Sequence, residues 1–272
     1  MPIVTLSSDI GEHDYLVGAI KGQLLSSSPL LNIADITHYL SPSNYPQAAY
    51  ICGNAFKYYP AGTFHIIIVN LFETQPKHLL VTQHRSQYII CPDNGLLTMI
   101  TNGKPANVYA ILVESGSSLL NITASLAKNL QRLILQNDIS VFGSPISSMV
   151  EKYPLRATTG PDWIEGQILF IDRFENVVIN ITKEEFEQNR RGRSFKIVFK
   201  RDEIIEQISE NYASVYEGEK MAWFNSAGYL EIAMNKGNIA GLFGLQGFNE
   251  KMHQQGTVQN KWFYQTVRVF FG

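Results

Sequence analysis

The sequence predicts an α/β N-terminal domain with a mostly parallel sheet, followed by an all-β, barrel-like C-terminal domain. Three observations carry this. In the first half of the 272 residues, short β-branched runs alternate with longer stretches that place apolar side chains at helical spacing. In the second half, short β-branched or aromatic runs follow one another with turn residues between them. Between the halves, Ser144 to Trp163 holds three prolines and no apolar periodicity, the composition of a connection. The predicted domains are therefore 1–150 and 164–272.

Taken in order, Ile3-Val4-Thr5-Leu6 reads as a strand, and residues 14–25 carry Leu16, Val17, Ile20, Leu24 and Leu25 on one helical face. Asn32 to Ile36 gives a second strand. Pro46 suits the first turn of a helix running to about Tyr59, which Pro60-Ala61-Gly62-Thr63 stops before the buried strand 64–69. Runs at 79–82 and 87–91 read as strands, followed by a helix from about Gly95, a strand at 107–113 and a helix over 117–135. Beyond the connection, 166–173, 176–182, 195–199, 229–235 and 262–271 are the expected strands.

Composition narrows the function. With 22 basic and 24 acidic side chains, the formal net charge of -2 leaves no electrostatic footprint for nucleic acid or an anionic membrane. A hydrophobic share of 45% against 17% charged supplies a buried core. No apolar window reaches spanning length and the first residues lack a basic-then-apolar leader pattern, so a cytoplasmic protein is expected. Cys52 and Cys91 lie in apolar sequence without metal or redox spacing and read as buried free thiols. Without a leader, the glycosylation patterns at Asn121 and Asn180 carry no weight. His65 belongs to an apolar strand, and His78, His84 and His253 lack ligand spacing, so no metal is expected. Neither a GxGxxG fingerprint nor a GxSxG elbow occurs, which argues against dinucleotides and against a covalent acyl-enzyme.

Four segments carry candidate chemistry. Asp9 and Asp14 flank the turn after the first strand, at the edge where open α/β sheets bind ligands. Two carboxylates there suit sugar hydroxyls or an ammonium group, with helix capping as the structural alternative for Asp14. Asp35-Ile36-Thr37-His38 ends the second strand at the same edge, where His38 is either structural or catalytic. Asp172-Arg173-Phe174-Glu175-Asn176 offers a carboxylate, a ring and an amide in one turn. Phe224-Asn225-Ser226-Ala227-Gly228-Tyr229 offers amide and hydroxyl groups beside aromatic surface, a set that suits a purine.

These segments, together with Pro60-Ala61-Gly62-Thr63-Phe64-His65 and Pro92-Asp93-Asn94-Gly95-Leu96-Leu97, resemble the S-adenosylmethionine (SAM) hydroxide adenosyltransferase family, which is related to the SAM-dependent fluorinase and chlorinase. The resemblance spans nearly the whole chain. It implies SAM as substrate or ligand with no prosthetic cofactor, and a homotrimer with sites between subunits. By motif, Asp9 matches the carboxylate that holds the ribose hydroxyls, and Asp14 and Asp172 match residues near the methionyl ammonium. Phe174 and Asn176 match the turn against adenine. Asn225 and Ser226 match the contacts to the nucleoside and the amino-acid end, with Tyr229 on their flank. The implied reaction is in-line attack of water or hydroxide on the ribose 5' carbon, giving adenosine and methionine.

The chain departs from the hydrolytic pattern where the nucleophile would sit. Hydrolytic members follow the third strand with Val-Asp-Pro-Gly-Val-Gly-Thr and a nearby Arg, and open a later helix with His-Gly-Arg-Asp. This chain has Val69-Asn70-Leu71-Phe72-Glu73-Thr74-Gln75-Pro76-Lys77-His78 at the first place, and Ser118 opposite the His with Asn121 opposite the Asp. Asn70 cannot accept a proton at neutral pH, and Lys77 keeps the charge of Arg without its planar fork. Either Glu73 or His78 could replace the missing base, or both are plain loop charges. A SAM- or adenosine-binding protein without turnover is the alternative function.

Overall fold

The computed structural model describes residues 1–200, 203–245 and 265–272, so His253 and the predicted strand residues Trp262 to Tyr264 lie outside the described part. The chain forms two compact units, Met1–Pro154 and Leu155–Gly272. Among the described residues no helix is long and apolar enough to cross a membrane.

The first unit runs β1 (Ile3–Ser8), α1 (Leu16–Ser27), β2 (Asn32–Thr37), α2 (Tyr45–Phe56), β3 (Phe64–Ile68), β4 (His78–His84), β5 (Gln87–Pro92), α3 (Leu96–Thr101), β6 (Val108–Leu112) and α4 (Leu119–Gln136). Its sheet has the order β2-β1-β3-β5-β4-β6. β1 pairs in parallel with β2 and β3, and β3 with β5, while β4 runs antiparallel to β5 and β6. β3 and β5 are buried on both faces because helices cover both faces of the sheet. Ile20, Leu24, Ile122 and Leu126 of α1 and α4 pack with Leu6, Ile66 and Ile90. Cys52, Phe56 and Leu97 of α2 and α3 pack with Ile67, Leu80 and Ile89 on the other face. Both cysteines are buried free thiols, and burial raises Cys52 to about 12, which leaves it protonated and inert.

His65, fully buried in β3, shares a 2.7 Å hydrogen bond with Thr5 Oγ1 and stacks on Phe56 at 3.7 Å between ring centroids. Burial lowers its pKa to about 4, against the opposing contact with Gln87. The unfolded chain therefore binds more protons between pH 6.5 and about 4, so the stability that the neutral ring contributes is complete above 6.5 and is lost as the pH falls through that window. We expect the His65 ring resonance to titrate near 4 by NMR, with the melting temperature falling over the same range. A titration near 6.5 would contradict the burial argument.

The second unit runs β7 (Thr158–Thr159), β8 (Trp163–Ile171), β9 (Val177–Thr182), α5 (Lys183–Arg190), β10 (Phe195–Lys200), β11 (Glu203–Ile205), β12 (Lys220–Phe224), β13 (Tyr229–Met234), α6 (Ile239–Leu242) and β14 (Thr266–Phe271). Its antiparallel sheet follows β11-β10-β14-β8-β9-β13-β12, with β7 added on β8, and it wraps round as a nearly closed barrel. Phe186 is fully buried, edge-on to Phe195, Phe224 and Phe271. Helices α5 and α6 and strands β7, β11 and β12 add to the elements expected from the sequence. α5 starts in a capping box, in which Thr182 Oγ1 accepts from Glu185 N at 3.2 Å and Glu185 accepts from Thr182 N at 2.9 Å.

Candidate active site

Strand directions in the first unit bring the ends of β1, β2, β3, β5 and β6 and the start of β4 to one edge. That edge carries Asp9, His38, Asn70, Asp93, Ser118 and His78. A continuous hydrogen-bonded chain crosses it. Asp9 Oδ2 accepts from the backbone N–H of Asn70 at 2.7 Å, which pins Asn70 in a left-handed conformation (φ 49°). Asn70 Nδ2 donates to the Tyr45 hydroxyl at 3.0 Å, and that hydroxyl donates to Glu73 Oε2 at 2.7 Å. The backbone N–H of Glu73 closes the turn on Asn70 O at 3.1 Å. Burial pushes the Tyr45 phenol well above its ordinary value, with the hydrogen bond to Glu73 adding to it and Asn70 opposing. Tyr45 is therefore a neutral donor at physiological pH.

Lys152 completes this cluster. Its ammonium lies 3.6 Å from Glu73 Oε2 and 3.9 Å from the centroid of the Tyr45 ring. The segment that delivers it is tied down by Val150 N on Asp93 Oδ1 at 2.8 Å and by Lys152 N on Thr98 Oγ1 at 3.0 Å. Gly95 makes the route possible. It sits at φ 93°, and a Cβ there would come within 2.4 Å of Lys152 Cγ.

The other residues expected at this edge divide by environment. His78 Nε2 pairs with Asp93 Oδ2 at 2.9 Å, so that ring nitrogen is committed to a neighbouring carboxylate. Ser118 is exposed and caps α4 by accepting from Asn121 N at 3.3 Å. Lys77 is exposed, with its backbone carbonyl accepting from Val113 N at 2.9 Å. Asp14 is exposed and accepts from Leu16 N at 2.8 Å, from the position just before Tyr15, the N-cap of α1. His38 is 3% exposed, bonded to Ser8 Oγ at 2.7 Å and 3.2 Å from Asp35 Oδ1. Glu12, Asp35 and His38 place potential metal-ligand atoms within 4.8 Å of one another. Lys21, 2.5 Å from Asp35 Oδ2, already brings a cation to that group. Burial works against ionisation of Asp35, but Lys21 and His38 outweigh it and hold the pKa below the ordinary value.

In the second unit the two expected turns share one buried carboxylate. Asp172 Oδ1 accepts from the backbone N–H groups of Phe174 and Asn176, each at 2.8 Å, and this leaves the Phe174 ring 71% exposed at the tip. Asn225 Oδ1 accepts from Ala227 N at 3.0 Å and Tyr229 N at 3.2 Å, a turn that places Ser226 at the exposed apex of the β12–β13 hairpin. Tyr229 is half-buried, and burial raises its phenol. Both turns reach Glu231, which is 5% exposed. Its Oε1 accepts from Asn176 Nδ2 at 3.1 Å and Trp223 Nε1 at 2.9 Å, and its Oε2 from Asn225 Nδ2 at 2.9 Å.

Tyr45, Lys152 and Glu231 are the residues that sequence reasoning missed. Asn44 caps α2 through Gln47 N at 2.9 Å, which fixes Tyr45 at the first position of the helix beside the sheet edge. That much was open to a reading of caps. Lys152 lies in an irregular connection and gave no signal.

A family model described as the SAM hydroxide adenosyltransferase N-terminal domain matches residues 4–140, and one for the C-terminal domain matches residues 166–250. The chain is 25% identical over 260 residues to the (R)-S-adenosyl-L-methionine hydrolase of Methanocaldococcus jannaschii, covering 92% of this chain and 95% of the relative. It is 22% identical over 277 residues to the fluorinase of Actinopolyspora mzabensis, covering 88% and 92%. Among solved structures, an uncharacterized conserved protein from Thermotoga maritima superposes with a TM-score of 0.79 at 21% identity, covering 98% of this chain and 99% of that one. That likeness shows the fold.

Proposed function

Since the chain belongs to the SAM hydroxide adenosyltransferase family through both of its domains, we propose that it is a SAM hydrolase with a rebuilt nucleophile pocket. The observation that carries this reading is the chain Asp9–Asn70–Tyr45–Glu73, which links the carboxylate matched to the ribose with a second carboxylate able to take a proton. Water attacks the ribose 5' carbon in line with the departing sulfur. The C–S electron pair goes to sulfur, and methionine leaves as a neutral thioether. As the C–O bond forms, the water proton passes to the Tyr45 oxygen while Tyr45 gives its own to Glu73, from which solvent removes it. A sulfonium leaving group is already activated, so positioning and proton removal are the tasks left to the protein.

Several features support the assignment of Glu73 rather than His78. His78 Nε2 is engaged by Asp93, whereas Glu73 is bonded directly to Tyr45. Asn70, in place of an acid, becomes the donor that orients Tyr45. In this reading Asp9 holds the ribose hydroxyls, Asp14 and Asp172 supply negative charge toward the methionyl ammonium, and Phe174 stacks on adenine beside Asn176. Ser226, at its exposed apex, contacts the nucleoside or the amino-acid end, on a turn built by Asn225 and flanked by Tyr229. The reading also carries the homotrimer, with each ligand served by neighbouring subunits.

The test is incubation of the pure chain with SAM, following adenosine and methionine by chromatography. Equimolar, enzyme-dependent appearance of both supports the proposal. SAM binding by calorimetry without either product would replace it with the silent binder.

A further inference from the structure

Asn176 is 2% exposed, and its amide nitrogen faces three oxygens: Asp172 Oδ2 at 3.0 Å, Glu231 Oε1 at 3.1 Å and the Tyr212 hydroxyl at 2.5 Å. An amide nitrogen carries two hydrogens, so these acceptors exhaust it. The opposite orientation would turn the amide carbonyl onto two carboxylates, which forbids it. Glu231 is itself locked, because Trp223 Nε1 and Asn225 Nδ2 each donate to it at 2.9 Å. Trp223 lies directly across from Glu231 in the β12–β13 register, and its ring meets Tyr212 edge-on at 4.7 Å between centroids. The cluster therefore allows one arrangement of donors and acceptors.

We infer that Glu231 is a specificity-determining positioning residue that fixes the Asn176 amide so that its carbonyl, and not its NH2, is the group available to a ligand. Such a site selects a hydrogen-bond donor and rejects an acceptor at that point. On a purine edge this means a 6-amino group over a 6-oxo group. The inference rests on the proposed reading of the 172–176 turn as the adenine side of the site. Keeping a carboxylate at a site where burial raises its pKa is costly unless its acceptor-only character is used, and here it is used to orient an amide.

Calorimetric titration of the full chain with adenosine and inosine tests this. Wild type should bind adenosine about tenfold or more tightly than inosine, the effect of one mismatched buried hydrogen bond. Glu231→Gln presents an N–H among donors, lets Asn176 relax, and should bring the ratio below about threefold. A purely structural role would weaken both nucleosides alike and leave the ratio unchanged, which would overturn the inference. If Glu231→Gln does not fold, Asn176→Ala serves instead, and full discrimination in that variant overturns it equally. Equal wild-type binding of the two nucleosides also overturns it. Failure of wild type to bind adenosine, inosine or SAM would instead remove the nucleoside reading, and the inference falls with it.

Discussion

Glu73→Gln should lower kcat for adenosine release from SAM by about two to three orders of magnitude and leave SAM affinity within about threefold, the pattern expected for a group that acts on a proton in the transition state. Gln accepts a hydrogen bond from Tyr45 but cannot take its proton, so the geometry of the chain survives and the transfer does not. The substitution should be well tolerated by the fold. Glu73 is 41% exposed and its partner Lys152 is 36% exposed, and ion pairs of that kind contribute little to stability. Steady-state kinetics alongside calorimetry with SAM checks both parts. A kcat within threefold of wild type would assign the proton to another acceptor and return Glu73 to a plain loop charge. Tyr45→Phe should follow Glu73→Gln in direction, and the double variant should be no worse than the poorer single one, because the two groups act as one relay.

How far the sequence foretold this arrangement depends on what kind of regularity each part has. The parallel core was legible because β3 and β5 are short, mostly apolar runs between amphipathic helices, and such runs report burial on both faces. The position of Asp9 at the carboxyl edge of the sheet was legible because it directly follows the first strand. Helix α5 was not read from its short polar sequence, although Thr182 followed three residues later by Glu185 carried the capping signature.

Glu231 shows a deeper limit. Within Tyr229–Met234 the period of two places Leu230 and Ile232 in the core and so assigns Glu231 to the outer face. It is buried there nonetheless, because Trp223 across the hairpin and the two amide-bearing turns cover it. Alternation reports which face a residue is on, and only tertiary structure reports whether that face is covered. Lys152 fails for a similar reason. Its position depends on a glycine more than fifty residues away and on the hydroxyl of Thr98, neither of which a local pattern can connect to it.

Asp9→Ala should weaken SAM binding by at least about a hundredfold, since hydrogen bonds to a charged acceptor contribute about 1.5–3 kcal/mol each and the ribose offers two hydroxyls. The same carboxylate holds the Asn70 backbone N–H at 2.7 Å, at a left-handed conformation that a non-glycine residue adopts at some cost. Its removal therefore frees the turn that carries Asn70 and Glu73. Affinity and kcat should fall together, in contrast to Glu73→Gln, which acts on kcat alone. Asp9→Asn separates the two duties. Its amide oxygen can still accept from Asn70 N, so it should restore much of kcat at saturating SAM while affinity stays weak, because the charge is gone. Calorimetry gives the first quantity and saturated turnover the second. Wild-type affinity in Asp9→Ala, in a chain whose circular dichroism and melting curve remain intact, would detach the ribose from this edge of the sheet and leave the Asn70–Tyr45–Glu73 chain without a substrate to act on.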